Sequence, residues 1–139
     1  MARGVSMAKK SLPRISDAEW KVMEIIWDNR RITSQGIIEH LNYTEWNENT
    51  IKTLISRLVK KGAAGYTCDP KDRRVYFYYP LVGKDNCLKE ETNSFLNKFY
   101  NGALTSLVSQ FIESDNVSDD EINKLIEILK EKRGKEEKL

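Results

Sequence analysis

Trp46-Asn47-Glu48-Asn49-Thr50-Ile51-Lys52-Thr53-Leu54-Ile55-Ser56-Arg57-Leu58-Val59-Lys60-Lys61-Gly62 is the stretch on which the fold turns. Ile51, Leu54, Ile55 and Leu58 recur at three- and four-residue steps, so they form one apolar stripe of an amphipathic helix. Asn49, Lys52, Thr53, Ser56, Arg57 and Lys60 fall mostly on the other side. One face must be buried, and the other presents amides, hydroxyls and cations to solvent. Gly62 makes a natural stop, and Lys60 and Lys61 suit the negative end of the helix dipole.

Upstream, Ser16-Asp17-Ala18-Glu19 has the spacing of a capping box, with Ile15 as its staple. Ala18, Val22, Met23, Ile26 and Trp27 then give a first helix one apolar face, ending near Asp28-Asn29. Arg31-Ile32-Thr33 is short and β-compatible. Thr33 or Ser34 caps a second helix of about two turns, with Ile37, Ile38 and Leu41 inward. Downstream, Gly65-Tyr66-Thr67-Cys68, the turn Asp69-Pro70-Lys71-Asp72 and residues 73–80 read as a β-hairpin with a polar tip.

Three more helices follow. Leu88, Thr92, Phe95, Leu96 and Phe99 pattern the first, over 84–100, and Asn101-Gly102 ends it. Leu104, Leu107, Val108, Phe111 and Ile112 pattern the second, over 103–113. A second capping box, Ser118-Asp119-Asp120-Glu121, opens the third, with Ile122, Leu125, Ile126 and Leu129 on one face and a charged tail from Lys130. Three short amphipathic helices have too little mutual surface to be stable alone; docking onto the front half or onto a second copy of the segment would cover their apolar faces, and closed two-fold dimers are the commonest oligomers.

Helix, short strand, helix, helix, hairpin is the order of a winged helix, whose third helix enters the major groove. The predicted architecture is mainly α with a small β-hairpin. It comprises a flexible basic arm over 1–14, a winged helix-turn-helix domain over 15–82, a three-helix dimerisation region over 83–132 and a charged tail over 133–139. Leu88, Phe95, Phe99, Leu104, Leu107, Val108, Phe111, Ile122, Leu125, Ile126 and Leu129 are the expected dimerisation residues.

The charge distribution agrees with a polyanionic partner. Residues 1–82 hold 14 Lys and Arg against 9 Asp and Glu, net +5, whereas residues 83–139 hold 9 against 12, net −3. Lys and Arg that neutralise phosphates release condensed counterions, so a basic half followed by an acidic one suggests a polyanion at the front, which for a winged helix is double-stranded DNA. Asn49, Thr50 and Thr53 have side chains suited to base edges. Lys52, Arg57, Lys60 and Lys61, the hydroxyls of Thr33 and Ser34, and Arg73 and Arg74 on the hairpin suit phosphates.

Other features read as structural. Trp20, Trp27 and Trp46 suit core packing, Tyr76, Phe77, Tyr78 and Tyr79 strand-face packing, and His40 the surface. With one His, no GxSxG, no HExxH and no phosphate-cradling glycine loop, no nucleophile and base pair emerges, so an enzyme is not expected. Cys68, Cys87 and His40 make no compact metal set, and no metal or cofactor is expected. No stretch is long and apolar enough for a membrane span, and residues 1–14 lack the apolar core of a secretory signal, so the expected location is cytoplasmic. The other class left open is a winged-helix protein-interaction module that binds no DNA.

Ser16-Asp17-Ala18-Glu19-Trp20-Lys21-Val22-Met23-Glu24-Ile25-Ile26-Trp27, the stretch from Trp46 to Gly62, and Tyr78-Tyr79-Pro80-Leu81-Val82 together resemble the penicillinase-repressor family over roughly residues 15–130. The resemblance implies a winged-helix homodimer that binds palindromic operators of β-lactam resistance genes. It further implies induction by proteolysis within the dimerisation region, through a membrane β-lactam sensor protease or a protease downstream of it. The bond that corresponds to the family's Asn-Phe cleavage site is Gln110-Phe111, with Gln in place of Asn. The cysteine-rich metal motif of the copper-responsive branch is absent here.

Overall fold

The computed structural model describes residues 12–137. Most of the arm expected over 1–14, and the last two residues of the tail, lie outside them. The elements run α1 (Asp17–Asn29), β1 (Ile32–Thr33), α2 (Ser34–His40), α3 (Glu48–Lys61), β2 (Ala64–Cys68), β3 (Tyr76–Pro80), α4 (Lys84–Tyr100), α5 (Leu104–Glu113) and α6 (Asp119–Glu137). The chain forms two compact units that meet inside α4, between Glu90 and Glu91. The division falls there, rather than just after β3 as the sequence suggested, because Cys87 is buried in the core of the first unit.

That core joins Val22, Met23 and Ile26 of α1, Ile37 of α2 with Leu41 beyond it, and Ile51, Leu54, Ile55 and Leu58 of α3. Each fully buried aliphatic side chain contributes about 1.5–3 kcal/mol. Ile15 closes the core and Leu12 packs partly buried against it, so the final residues of the expected arm are docked. The three-stranded antiparallel sheet has the order β1-β3-β2. β1 pairs Ile32 with Tyr78 and Thr33 with Phe77, and β2 pairs Tyr66 with Tyr78 and Cys68 with Tyr76. Trp27 Nε1–H donates to the Val82 carbonyl at 2.9 Å, tying α1 to the chain that leaves the sheet.

The hairpin departs from expectation at its tip. The strand expected over 73–80 begins only at Tyr76, because residues 69–75 close on themselves. Asp69 N–H donates to the Val75 carbonyl, and Asp69 and Asp72 each accept from the backbone two residues on, so two Asx turns displace the ladder. In the second unit, Glu121 N–H donates to Ser118 Oγ at the start of α6. That helix continues to Glu137, through residues expected as a tail, because Lys and Glu are strong helix formers that also pair across a turn. No described residue from Glu91 onward is buried.

Among the described residues of the first unit, one charged side chain lies inside the core: Glu19, 2% exposed. It completes the capping box of α1 by accepting from Ser16 N–H at 2.9 Å, and it forms an ion pair with Lys61 in the last turn of α3. Lys61 Nζ also donates to the Arg14 carbonyl at 2.7 Å. Burial pushes the Glu19 carboxyl up, but the Lys61 pair and the Ser16 hydrogen bonds together outweigh it and hold the group below its ordinary value. Replacement Glu19→Ala is expected to lower stability by about 2 kcal/mol, seen as a lower urea midpoint at unchanged slope, because a cap is lost and Lys61 is left unpaired. A carboxyl held low when folded stabilises at pH above its ordinary value of 4.5 and loses that contribution as pH falls through the folded value. Stability of the wild type should therefore fall more steeply than that of Glu19→Gln below pH 4.5, and parallel profiles would refute the pairing.

Candidate nucleic-acid interface

α3 starts where Asn47 Oδ1 accepts from Thr50 N–H at 2.8 Å and stops at Gly62, whose φ of 84° is left-handed. Between these ends its apolar stripe is buried against α1 and α2, which settles the rotation of the helix about its axis. Asn49, Thr50, Lys52, Thr53, Ser56, Arg57 and Lys60 are consequently all exposed. Six of them, all but Thr50, line one shallow open surface. The Thr53 hydroxyl donates to the Asn49 carbonyl at 2.9 Å, which fixes its rotamer and leaves its methyl and lone pairs outward-capable.

Beside this face runs a groove of about 470 Å³ between α3 and the hairpin. Ser34, Lys52, Ser56 and Arg74 line it together with Tyr66, Tyr76 and Tyr78. The cross-strand register explains the three tyrosines: Tyr66 stands opposite Tyr78, and Tyr76 lies two residues from it, so all share one face of the sheet. Burial raises the pKa of Tyr78, and the neighbouring Tyr76, Tyr66 and Cys68 add to the effect. On the reverse face Tyr79 lies over Gly65, where any Cβ would come within 2.9 Å of the ring. Arg31 stacks over Phe77 with 3.8 Å to the ring centroid.

The expected phosphate-binding residues divide. Lys52, Arg57 and Lys60 stand on the exposed face of α3, and Ser34 stands in the groove. Thr33 caps α2, accepting from Gly36 N–H at 3.0 Å. Arg73 and Arg74 lie in the turn, where Asp72 holds Arg74 through Nε at 3.0 Å and thereby keeps its own carboxyl below the usual range. Lys61 is spent on Glu19 and Arg14, away from this face, because a buried carboxylate needs a counter-ion. Sequence reasoning passed over Ser56 and the three tyrosines as site residues. The alternation of Tyr76 and Tyr78 opposite Tyr66 was the available signal.

In the second unit Phe95, Phe99, Leu104, Phe111, Leu125, Ile126 and Leu129 are exposed, and Leu107, Val108 and Ile122 are half-buried. Leu88, in the part of α4 that belongs to the first unit, is exposed too. Gln110 and Phe111 sit mid-helix in α5, and the Tyr100 hydroxyl donates to Gln110 Oε1 at 2.8 Å. No group of His, Cys, Asp and Glu among the described residues is arranged to hold a metal ion. His40 Nδ1 lies 2.8 Å from the Gly36 carbonyl at the surface.

Comparison with known proteins gives a consistent picture. The chain is 41% identical over 127 residues to the penicillinase repressor of Bacillus licheniformis, spanning 91% of this chain and 97% of the relative. It is 40% identical over 119 residues to the methicillin resistance regulatory protein MecI of Staphylococcus aureus, spanning 85% and 94%. Wild-type MarR from E. coli in its apo form shares the fold with a TM-score of 0.50 at 20% identity, over 84% of this chain and 76% of that one. The family model described as penicillinase repressor matches residues 15–131. The chain therefore belongs to the penicillinase repressor family.

Proposed function

We propose that the protein is a transcriptional repressor that occupies double-stranded operator DNA as a homodimer and controls β-lactam resistance genes. The observation that carries this reading is the face of α3: six adjacent exposed side chains, one amide, two hydroxyls and three cations, on a helix whose opposite side is buried. Such a helix fits the major groove. Asn49, Thr50 and Thr53 contact base edges; Ser34, Lys52, Arg57, Lys60, Arg73 and Arg74 serve phosphates, while the Thr33 hydroxyl holds the cap of α2. The names of the relatives, a penicillinase repressor and a methicillin resistance regulator, support the choice of regulated genes. The role is regulatory, with no catalysis by this chain.

The homodimer is supported by the second unit, where apolar side chains of α4, α5 and α6 remain exposed in the single chain. Release from DNA comes from cutting at Gln110-Phe111 by a membrane β-lactam sensor or a protease downstream of it. Because that bond is helical, α5 must open locally before it is cut. No helix among the described residues is long and apolar enough to cross a membrane, and we place the protein in the cytoplasm.

Binding of the intact protein to its own upstream promoter, against a scrambled duplex of equal length across salt concentrations, tests the reading. Selective, steeply salt-dependent binding is expected; weak and equal binding to both would favour the protein-interaction module. Asn49→Ala should narrow the gap between the two duplexes by about 1–3 kcal/mol, and an unchanged gap would remove Asn49 from the base-reading set. Lys60→Ala should weaken both alike and lower the salt slope by about one. The dimer has its own test: Leu129→Asp, at a side chain 64% exposed, should shift the protein from dimer to monomer in sedimentation while the thermal transition of the first unit stays in place.

A further inference from the structure

The tyrosines of the hairpin call for an explanation beyond strand packing. Tyr66 and Tyr76 stack with ring centroids 5.0 Å apart and planes 15° from parallel, yet they are 47% and 39% exposed. Tyr78, tilted against both, is the one that is half-buried. Two large rings thus lie partly bare in a groove whose other members include Lys52, Arg74, Ser34 and Ser56. Lys52 and Ser56 also line the exposed face of α3, so groove and face are one continuous surface. If α3 lies in the major groove, the strand bordering that groove must pass along the flank of α3 that carries Lys52 and Ser56. That flank is one wall of the tyrosine-lined groove.

We infer that Tyr66 and Tyr76, with Lys52 and Arg74, form a seat for one sugar-phosphate strand of the duplex, the stacked rings lying against deoxyribose and the phenol hydroxyls donating to phosphate oxygens. The inference rests on the DNA-binding reading above. Its chemistry is distinctive, because a phenol is a neutral donor. It strengthens binding to every sequence without releasing a counterion, whereas each lysine or arginine on a phosphate does release one. Asp72, paired with Arg74, keeps that guanidinium at the wing turn; an Arg has five N–H donors, so the pair leaves others for a phosphate.

The test uses the full chain and the same two duplexes. Tyr66→Phe and Tyr76→Phe keep both rings and remove only the hydroxyls. Each should melt as the wild type does and weaken binding to promoter and scrambled duplex equally, by about tenfold, with the salt slope unchanged. Lys52→Ala should instead lower the slope by about one. Replacing the flanking phosphates by uncharged methylphosphonates should shrink the difference between the wild type and the double Phe variant. Wild-type affinity in the double Phe variant would overturn the inference, as would a reduced salt slope or a loss confined to the promoter. Absence of promoter selectivity in the wild type would overturn the DNA reading itself, and the seat with it.

Discussion

Burial of Ile51, Leu54, Ile55 and Leu58 against α1 and α2 is the constraint on which the rest depends. Successive residues of a helix are about 100° apart, so the direction in which the stripe is buried decides where every polar side chain of α3 stands. Rotation by a single residue would drive Lys52 toward the core, at a desolvation cost that an unpaired ammonium cannot recover. The ends are fixed as firmly. Asn47 caps the first turn, Gly62 adopts a left-handed conformation at the last, and Lys61 is held to Glu19. Chemistry on the outside of α3 is positioned by apolar packing on its inside.

The sheet extends the same logic to the groove. β3 lies between β1 and β2, so it cannot shift without breaking two ladders. Gly65 lets the Tyr79 ring lie close on one face, and the two-residue period then places Tyr66, Tyr76 and Tyr78 on the other, toward α3. A slip of one residue would exchange Tyr76 and Tyr78 for Phe77 and Tyr79, removing the tyrosine stack. Register therefore decides the chemistry of the groove as well as the packing of the sheet.

Much of this was legible in the sequence where the signal is local and periodic. The stripe of α3, the capping box at Ser16, the short strand at Ile32 and the hairpin all follow from spacing and turn chemistry. The exposed polar and basic face of α3 follows from it too, because a single helix carries it. What escaped was non-local or was masked by a sufficient local explanation. Glu19 is fully accounted for by its capping box, so nothing in the sequence marks it as the buried partner of Lys61. Lys61 itself looks like a helix-end cation suited to phosphate until that partner is known. Arg73 and Arg74 read as strand because β-prone residues follow them; competition from the Asp69 and Asp72 carboxylates for backbone N–H groups is what turns the chain. α6 overruns its expected end because charge is as compatible with an exposed helix as with a tail.

The two units differ in how they are stabilised, and this bears on regulation. The first unit buries a core of its own, with α3 fixed within it. In the second, no described residue is buried, so under the homodimer reading its apolar faces gain stability from association and thus depend on protomer concentration. Under the repressor reading, damage to the second unit has no need to distort α3. Two recognition helices joined in one dimer meet two half-sites at a high effective concentration, and separating them loses that advantage while each helix keeps its shape. A cut at Gln110-Phe111 would act through valency: it would interrupt the apolar face of α5 and leave each first unit folded, with only the weaker affinity of a single half-site.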